Sequence, residues 1–343
     1  MSELKPYLDS TPVAGDGPEL RRRMERDGYL FIRRLLPADV LEALRLDLLR
    51  IARDGGWISR DAPLEEAVPD QSGFCVEPES VYMEVYGRMY ALQQFHAIQH
   101  RPELLGLLER ICDTEVMPHA RIIGRTIFPA RDAFTTPAHQ DFIPIQGTPD
   151  TYTAWFPLHD LPADLGGLEI SAGSHTAGVY EFRPALGAGG LEIVDPLDGT
   201  WVGGPFEQGD VLFFHSLCAH RGSPNRGPSM RMSIDARYQR VSDPVGAGSF
   251  QPHAQPSTWE EIYSSWKSSD YQYYWRQWDL EYSEHDTSYH ETRDQLAFEM
   301  AAEGDERARS TLQRIVARDP DADKRERAAE LLANLETVGE VSE

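Results

Sequence analysis

The chain has 343 residues, 41% of them hydrophobic, and a formal net charge of −23 at pH 7. That hydrophobic share is enough for a full buried core, which excludes a chain disordered throughout. The acidic balance would repel phosphate and excludes a nucleic-acid-binding surface, leaving small molecules as partners. Cys75, Cys112 and Cys218 are odd in number and widely spaced, so they fit neither a disulfide framework nor a thiolate zinc site. No stretch reaches the roughly 18 apolar residues of a membrane span, and the first residues lack the apolar segment of a signal peptide. A cytoplasmic protein without a membrane partner is expected. Lysine is nearly absent (Lys5, Lys267 and Lys324), so arginine must bind any anion held by the middle of the chain.

In chain order, residues 1–18 are rich in Pro, Gly and Asp and are expected to form a flexible arm. Leu20 and Met24 begin a helix, Asp27-Gly28 turns into the strand-like Tyr29-Leu30-Phe31-Ile32, and Leu41, Leu44, Leu48 and Leu49 share one face of a second helix. Residues 54–80 hold Gly, Pro and acidic residues without a period, marking a long loop and a candidate lid. Helical spacing returns over 81–113. From 116 to 240, short apolar runs are separated by Gly, Pro, Asn and Asp, the pattern of an all-β sandwich or barrel. The expected core therefore spans 19–245 and is mainly β with flanking helices. The segment 246–290 is crowded with aromatics between Trp259 and Tyr289, which serve either as amphipathic cement on that core or as a cover for a substrate. Residues 291–343 read as a C-terminal helical hairpin, an appendage suited to packing or to forming a homodimer.

The chemistry gathers in His139-Gln140-Asp141, answered later by His220 and Arg231. Composition alone yields about one H-x-D triplet in such a chain, so the triplet means little without its context. On a strand, residues i and i+2 face the same way and can grip one ion. Two imidazoles and a carboxylate on one side of a metal make the facial triad of non-haem iron oxygenases. Val211 to Cys218 reads as a buried strand carrying His215, with His220 just past its end; five residues apart, only one of the two can face the metal. Along Met230–Gln239 the residues alternate, with Arg231, Ser233, Asp235, Arg237 and Gln239 on the polar face. Inside a barrel covered by helices, that face lines a pocket, where a guanidinium offers a two-pronged grip on a carboxylate.

These segments resemble the phytanoyl-CoA dioxygenase family of Fe(II)- and 2-oxoglutarate-dependent oxygenases. The resemblance rests on Asp27-Gly28-Tyr29-Leu30, Thr136-Pro137-Ala138-His139-Gln140-Asp141, Gly166-Gly167-Leu168-Glu169-Ile170 through Gly173-Ser174-His175, and Gly209-Asp210-Val211-Leu212-Phe213-Phe214 with His220, Asn225 and Arg231. It covers roughly residues 20–240 and implies a double-stranded β-helix, the jelly-roll barrel of cupin-like proteins. It also implies Fe(II) held by His139, Asp141 and His220, with His220 preferred over His215, and Arg231 on the far carboxylate of 2-oxoglutarate. Gln140, Trp155 and Ser223 are then further candidates for cosubstrate contacts, Trp155 being equally suited to core packing. Where relatives place a lysine near the cosubstrate, Arg121 or Arg125 stand in here.

The implied reaction consumes O2 and 2-oxoglutarate, releases succinate and CO2, and hydroxylates an unactivated C–H bond. The expected substrate is a small molecule, a secondary metabolite or an amino-acid derivative, rather than an acyl-CoA, because no basic cluster for CoA phosphates is evident. Desaturation, cyclisation and epimerisation branch from the same chemistry. Two other readings stay open: a metal-dependent hydrolase or isomerase built on the same three ligands, and a silent barrel that binds partners through its C-terminal helices.

Overall fold

The computed structural model describes residues 4–129, 135–185, 190–197, 200–254, 257–286, 288–305 and 308–339. Five helices precede or interleave the early strands: α1 (Gly17–Asp27), α2 (Ala38–Asp54), α3 (Ser80–Tyr90), α4 (Gln93–Ala97) and α5 (Pro102–Cys112). Helix α1 starts where Asp16 accepts a hydrogen bond from Glu19 N, and ends at Gly28. Gly28 has φ +75°, and a Cβ there would lie 2.5 Å from His175 Nδ1. Only glycine takes that conformation cheaply, so the chain can turn directly into the first sheet.

The strands are β1 (Lys5–Pro6), β2 (Tyr29–Ile32), β3 (Val116–Pro118), β4 (Ile123–Ile127), β5 (Tyr152–Pro157), β6 (Leu168–Ala172), β7 (Phe182–Pro184), β8 (Leu191–Ile193), β9 (Thr200–Gly203), β10 (Val211–His215), β11 (His220–Gly222) and β12 (Arg231–Arg240). One sheet runs β2-β10-β5-β12-β3 with β4 also paired to β12, and the facing sheet runs β1-β9-β6-β11. The two close on each other as the jelly roll, a mainly β core with helices on its outside.

Alternation along the strands sorts the side chains. Leu30, Ile32, Val211, Phe213, Met232, Ile234, Ala236 and Tyr238 point outward into a core shared with the helices. Tyr29, Phe31, Trp155, Leu212 and Phe214 point inward and meet Leu161, Ile170, Val202 and Phe206 of the facing layer. That apolar cluster fills part of the barrel interior, and beside it the interior face of β12 is polar.

Two expectations about the periphery change, those for the N-terminal arm and the C-terminal helices. From residue 4 onward the expected arm is tied down: β1 pairs in parallel with β9, Tyr7 stacks at 4.8 Å on Phe31, and its hydroxyl donates to Leu168 O at 2.6 Å. Burying one tyrosine ring outweighs the local Pro and Gly content; residues 1–3 lie outside the described residues. The loop over 54–80 is anchored by the buried Trp57, stacked on Tyr82 at 4.9 Å, and brings Glu77 and Pro78 to the barrel cavity.

The aromatic segment packs Trp259, Tyr263 and Trp275 into the helix-side core. Trp266 Nε1 donates to Ala91 O at 3.0 Å and Tyr274 Oη to Pro118 O at 2.8 Å. Its described tryptophans and tyrosines thus pack as cement, while Gly248, Ser249, His253 and Ala254 of the same segment line the cavity.

Among its described residues the C-terminal part has three helices rather than a hairpin: Ser288–Ala302, Arg309–Arg318 and Ala322–Gly339. Ala297, Phe298, Leu312, Ile315, Ala328 and Leu335 form its own small core. Lys324 ties it together through Asp294 at 2.8 Å, Glu291 at 2.9 Å and Asp319 at 3.0 Å.

Replacing Gly28 by alanine should cost about 2–4 kcal/mol, combining a left-handed conformation with a clash against His175. Urea denaturation of Gly28→Ala checks this, and a loss below about 0.5 kcal/mol, the range of an ordinary surface substitution, would contradict the role given to the turn.

Candidate metal centre

Backbone pairing brings the two distant histidines together. His139 N donates to His220 O and His220 N to His139 O, both at 3.0 Å, while Gly222 N donates to Thr136 O at 3.1 Å. Their rings lie 4.2 Å apart, centroid to centroid. Beyond this bridge the chain leaves the extended conformation: Asp141 has φ −68° and ψ −25° and opens the short helix α6 (Phe142–Ile145). Strand alternation therefore does not deliver the carboxylate; a turn does. Asp141 Oδ1 stands 3.9 Å from His139 Nε2 and 3.9 Å from His220 Nε2. Among the described residues, this is the group of three potential ligand atoms that lie within 4.8 Å of one another, and all three residues are buried.

Each ligand is oriented from behind. His139 Nδ1 faces Pro137 O at 2.9 Å and His220 Nδ1 faces Cys218 O at 3.0 Å, which puts the proton on Nδ1 and leaves the Nε2 lone pairs aimed at the centre. Burial, reinforced by neighbouring His220, pushes His139 down to about 3, so its ring is neutral at pH 7 and ready to ligate. Asp141 Oδ2 accepts from Thr153 Oγ1 at 2.7 Å, and Oδ1 accepts from Arg237 Nη2 at 3.1 Å. Burial alone would raise that carboxyl, but Arg237, His220 and His139 outweigh it and hold it well below the usual carboxylate range. Two imidazoles and one ionised carboxylate suit a divalent metal with open positions.

The centre lines a cavity of about 390 Å³, whose walls include Arg231, Asp235 and Arg237 from β12, Arg125 from β4, Trp155 from β5 and Glu77. Strand register explains the grouping, since Arg237 lies opposite Thr153 and both hold Asp141. Arg231 is buried, and its best bonds are 3.5 Å contacts to the carbonyls of Gly166 and Ser223. Its Nε has no partner. Burial lowers Arg231 to about 10, so it remains a cation at neutral pH. Gly166 shapes this corner: it has φ +71°, and a Cβ there would sit 2.5 Å from Ser223 O. A buried guanidinium lacking a carboxylate is costly alone and fits a ligand that supplies one.

Of the other candidates, Trp155 forms part of the cavity wall and also packs on Phe206 at 4.8 Å, so its two readings coexist. Ser223 lines the cavity, but its hydroxyl is committed to Glu169 Oε1 at 2.6 Å. Gln140 is not brought to the cavity: its amide bonds Gly178 O at 2.7 Å and Leu217 O at 2.6 Å and accepts from Tyr180 N at 2.9 Å, clamping loops behind the triad. Arg125 lines the cavity but is ion-paired with Glu77, with Asp235 at 3.7 Å. Arg121 lies further along the same wall. His215 turns elsewhere, with Nε2 3.3 Å from Asp150 Oδ1.

Sequence reasoning did not single out Glu77, Thr153 or the role of Arg237. Alternation on β12 and β5 held the signal for the last two. Glu77 sits in an aperiodic loop and had none. Arg293 and Arg314 of the C-terminal helices complete the wall, again without a sequence signal.

A jelly-roll barrel with two histidines and a carboxylate on one face, and in the same cavity a buried arginine with no carboxylate at ion-pair distance among the described residues, defines a non-haem iron oxygenase of the 2-oxoglutarate-dependent class. The chain belongs to the phytanoyl-CoA dioxygenase (PhyH) family, whose sequence profile matches residues 24–233. It is 28% identical over 261 residues to 1-deoxypentalenic acid 11-beta-hydroxylase of Streptomyces arenae, covering 72% of this chain and 89% of that protein. It is 24% identical over 241 residues to the peroxisomal phytanoyl-CoA dioxygenase of Mus musculus, covering 64% and 67% of the two chains. A solved structure of the epimerase SnoN in complex with Fe3+, alpha ketoglutarate and nogalamycin RO matches with a TM-score of 0.49 and 18% identity, over 67% of this chain and 86% of that one.

Anaerobic titration with Fe(II) or Co(II) is expected to give one site in the wild type. His139→Ala and His220→Ala should weaken it by more than about 100-fold, the upper end of what losing an outer contact costs. His215→Ala should leave it intact; the reverse pattern would transfer the ligand role to His215.

Proposed function

We propose that this enzyme hydroxylates an unactivated C–H bond of a small organic molecule, converting 2-oxoglutarate and O2 to succinate and CO2. The observation that carries the cosubstrate assignment is Arg231, a buried guanidinium eleven residues after His220 with no carboxylate at ion-pair distance among the described residues. In this reading His139, Asp141 and His220 hold Fe(II). The bound iron, with 2-oxoglutarate and O2, supplies the oxidising power.

The protein's own residues do the rest. Arg231 fixes the far carboxylate of the cosubstrate. Thr153 and Arg237 hold Asp141 in one orientation through 2.7 Å and 3.1 Å hydrogen bonds. Trp155 and Phe214 wall the chamber with apolar surface and exclude water from the reacting centre. A cavity of about 390 Å³ suits a metabolite-sized substrate. The relative in Streptomyces arenae, matched over 89% of its length, is named for hydroxylating 1-deoxypentalenic acid, which supports a secondary metabolite as the substrate class. Cytoplasmic residence goes with this reading, since Cys75, Cys112 and Cys218 are free and buried.

Adding 2-oxoglutarate to the Fe(II)-loaded protein under anaerobic conditions should produce the visible charge-transfer band of the chelate, and admitting O2 should release succinate. Arg231→Ala removes one side of a buried charge pair worth about 2–5 kcal/mol, so the KM for 2-oxoglutarate should rise from about 30-fold to several thousandfold. A wild type that shows neither band nor succinate would sink the proposal, whereas an unchanged KM in Arg231→Ala would sink the arginine's role alone.

A further inference from the structure

Asp235 is the carboxylate the reaction leaves unexplained. It occupies the interior face of β12, two residues from Arg237 and four from Arg231, and pairs in register with Trp155 on one side and Ile123 on the other. All of these line the cavity. Its side chain is 15% exposed, and that exposure opens into the cavity.

The acids around it are all satisfied. Asp141 accepts from Thr153 and Arg237. Glu77 pairs with Arg125 and lies 3.6 Å from His253. Glu169 accepts from Ser223 at 2.6 Å and Arg221 at 2.8 Å. Among the described residues, Asp235 has Arg125 Nε at 3.7 Å, an ion pair beyond hydrogen-bonding distance, and that guanidinium already donates to Glu77. No described residue donates a hydrogen bond to the carboxylate, which opens into the cavity and can accept one from a ligand there. Burial raises its carboxyl above the ordinary value, as expected for a group short of donors.

We propose that Asp235 is a substrate-recognition residue, accepting a hydrogen bond from a hydroxyl or a protonated amine that the substrate presents beside the metal centre. This rests on the oxygenase reading above. The sign of the charge decides the chemistry. A substrate carboxylate placed there would meet Asp235 as a like charge, whereas a donor relieves an unsatisfied acceptor. Proximity to the reacting centre follows from the strand: Arg237, the next residue on that face, bonds the metal-binding carboxylate itself. A substrate held by Asp235 is therefore held next to where oxygen is delivered. A site built around such a bond discriminates strongly against an analogue that lacks the donor.

The test uses the full-length protein loaded anaerobically with Fe(II) and 2-oxoglutarate. The probes are matched pairs: cyclohexylmethanol with its methyl ether, and cyclohexylmethylamine with its N-acetyl derivative. Calorimetry and perturbation of the visible band read the binding. The wild type should bind at least one uncapped member about tenfold or more tightly than its capped partner; the arm that does so identifies hydroxyl or ammonium.

Asp235→Ala, which removes every acceptor atom of the side chain, should reduce that preference to less than about threefold while the 2-oxoglutarate band still forms; Asp235→Val, which removes them with less loss of volume, should do the same. A wild type that prefers no uncapped probe, or a preference that survives in both variants, overturns the assignment. Loss of the band without any probe would instead report against the oxygenase reading, so the two failures are distinguishable.

Discussion

Two backbone hydrogen bonds, exchanged between His139 and His220, carry the site. They join a segment that follows the early barrel strands to one formed 81 residues later, and they set the two imidazoles side by side before any metal is involved. The side chains then need only their Nδ1 atoms anchored on neighbouring carbonyls for both lone pairs to converge. The ligand geometry is thus a property of sheet pairing, and sheet pairing is secured by the apolar clusters on either side of it. A centre built this way is pre-organised, because the groups that meet the metal are fixed by the same contacts that fold the barrel.

Around that bridge the barrel interior is divided by polarity. Inward residues of β2, β5 and β10 form an aromatic and aliphatic cluster. Beside it, inward residues of β12 together with Arg125, Asp141 and Glu77 supply the charges. Most of those charges are arranged in compensating pairs, Arg237 with Asp141 and Arg125 with Glu77. The two that are not fully compensated, Arg231 and Asp235, have opposite signs and sit four residues apart on the same face. This places an anion-binding corner and a donor-binding corner in one chamber, which is how a single cavity can hold two different small molecules in fixed relation to each other.

Much of this was legible in the sequence because strand patterns are local. The alternation of Arg231, Ser233, Asp235, Arg237 and Gln239 against Met232, Ile234, Ala236 and Tyr238 marked both the strand and its inward face. The set of His139, Asp141 and His220 was readable from the family resemblance. What was not legible depends on long-range contact. Gln140 lies between two ligands in sequence, yet its amide is claimed by loop carbonyls near residues 178 and 217. Residues 4–18 look loose by composition and are pinned by pairing of β1 with β9 and by Tyr7 in an aromatic cluster. Glu77 reaches Arg125 from a loop with no periodicity. Asp141 enters the site through a helical turn that no alternation rule would place.

The C-terminal helices give the architecture a division of labour. The family match ends at residue 233, yet Arg293 and Arg314, well beyond it, stand in the cavity wall. Arg293 fits there because Gly190 leaves room, its absent Cβ falling 2.9 Å from the arginine Cδ. Both arginines are braced by Asp294, which Lys324 joins to the rest of the three-helix unit. Part of the chamber wall is therefore written in a different part of the chain from the metal ligands inside it. Changes to the appendage can reach that wall while the backbone pairing of the ligands stays untouched.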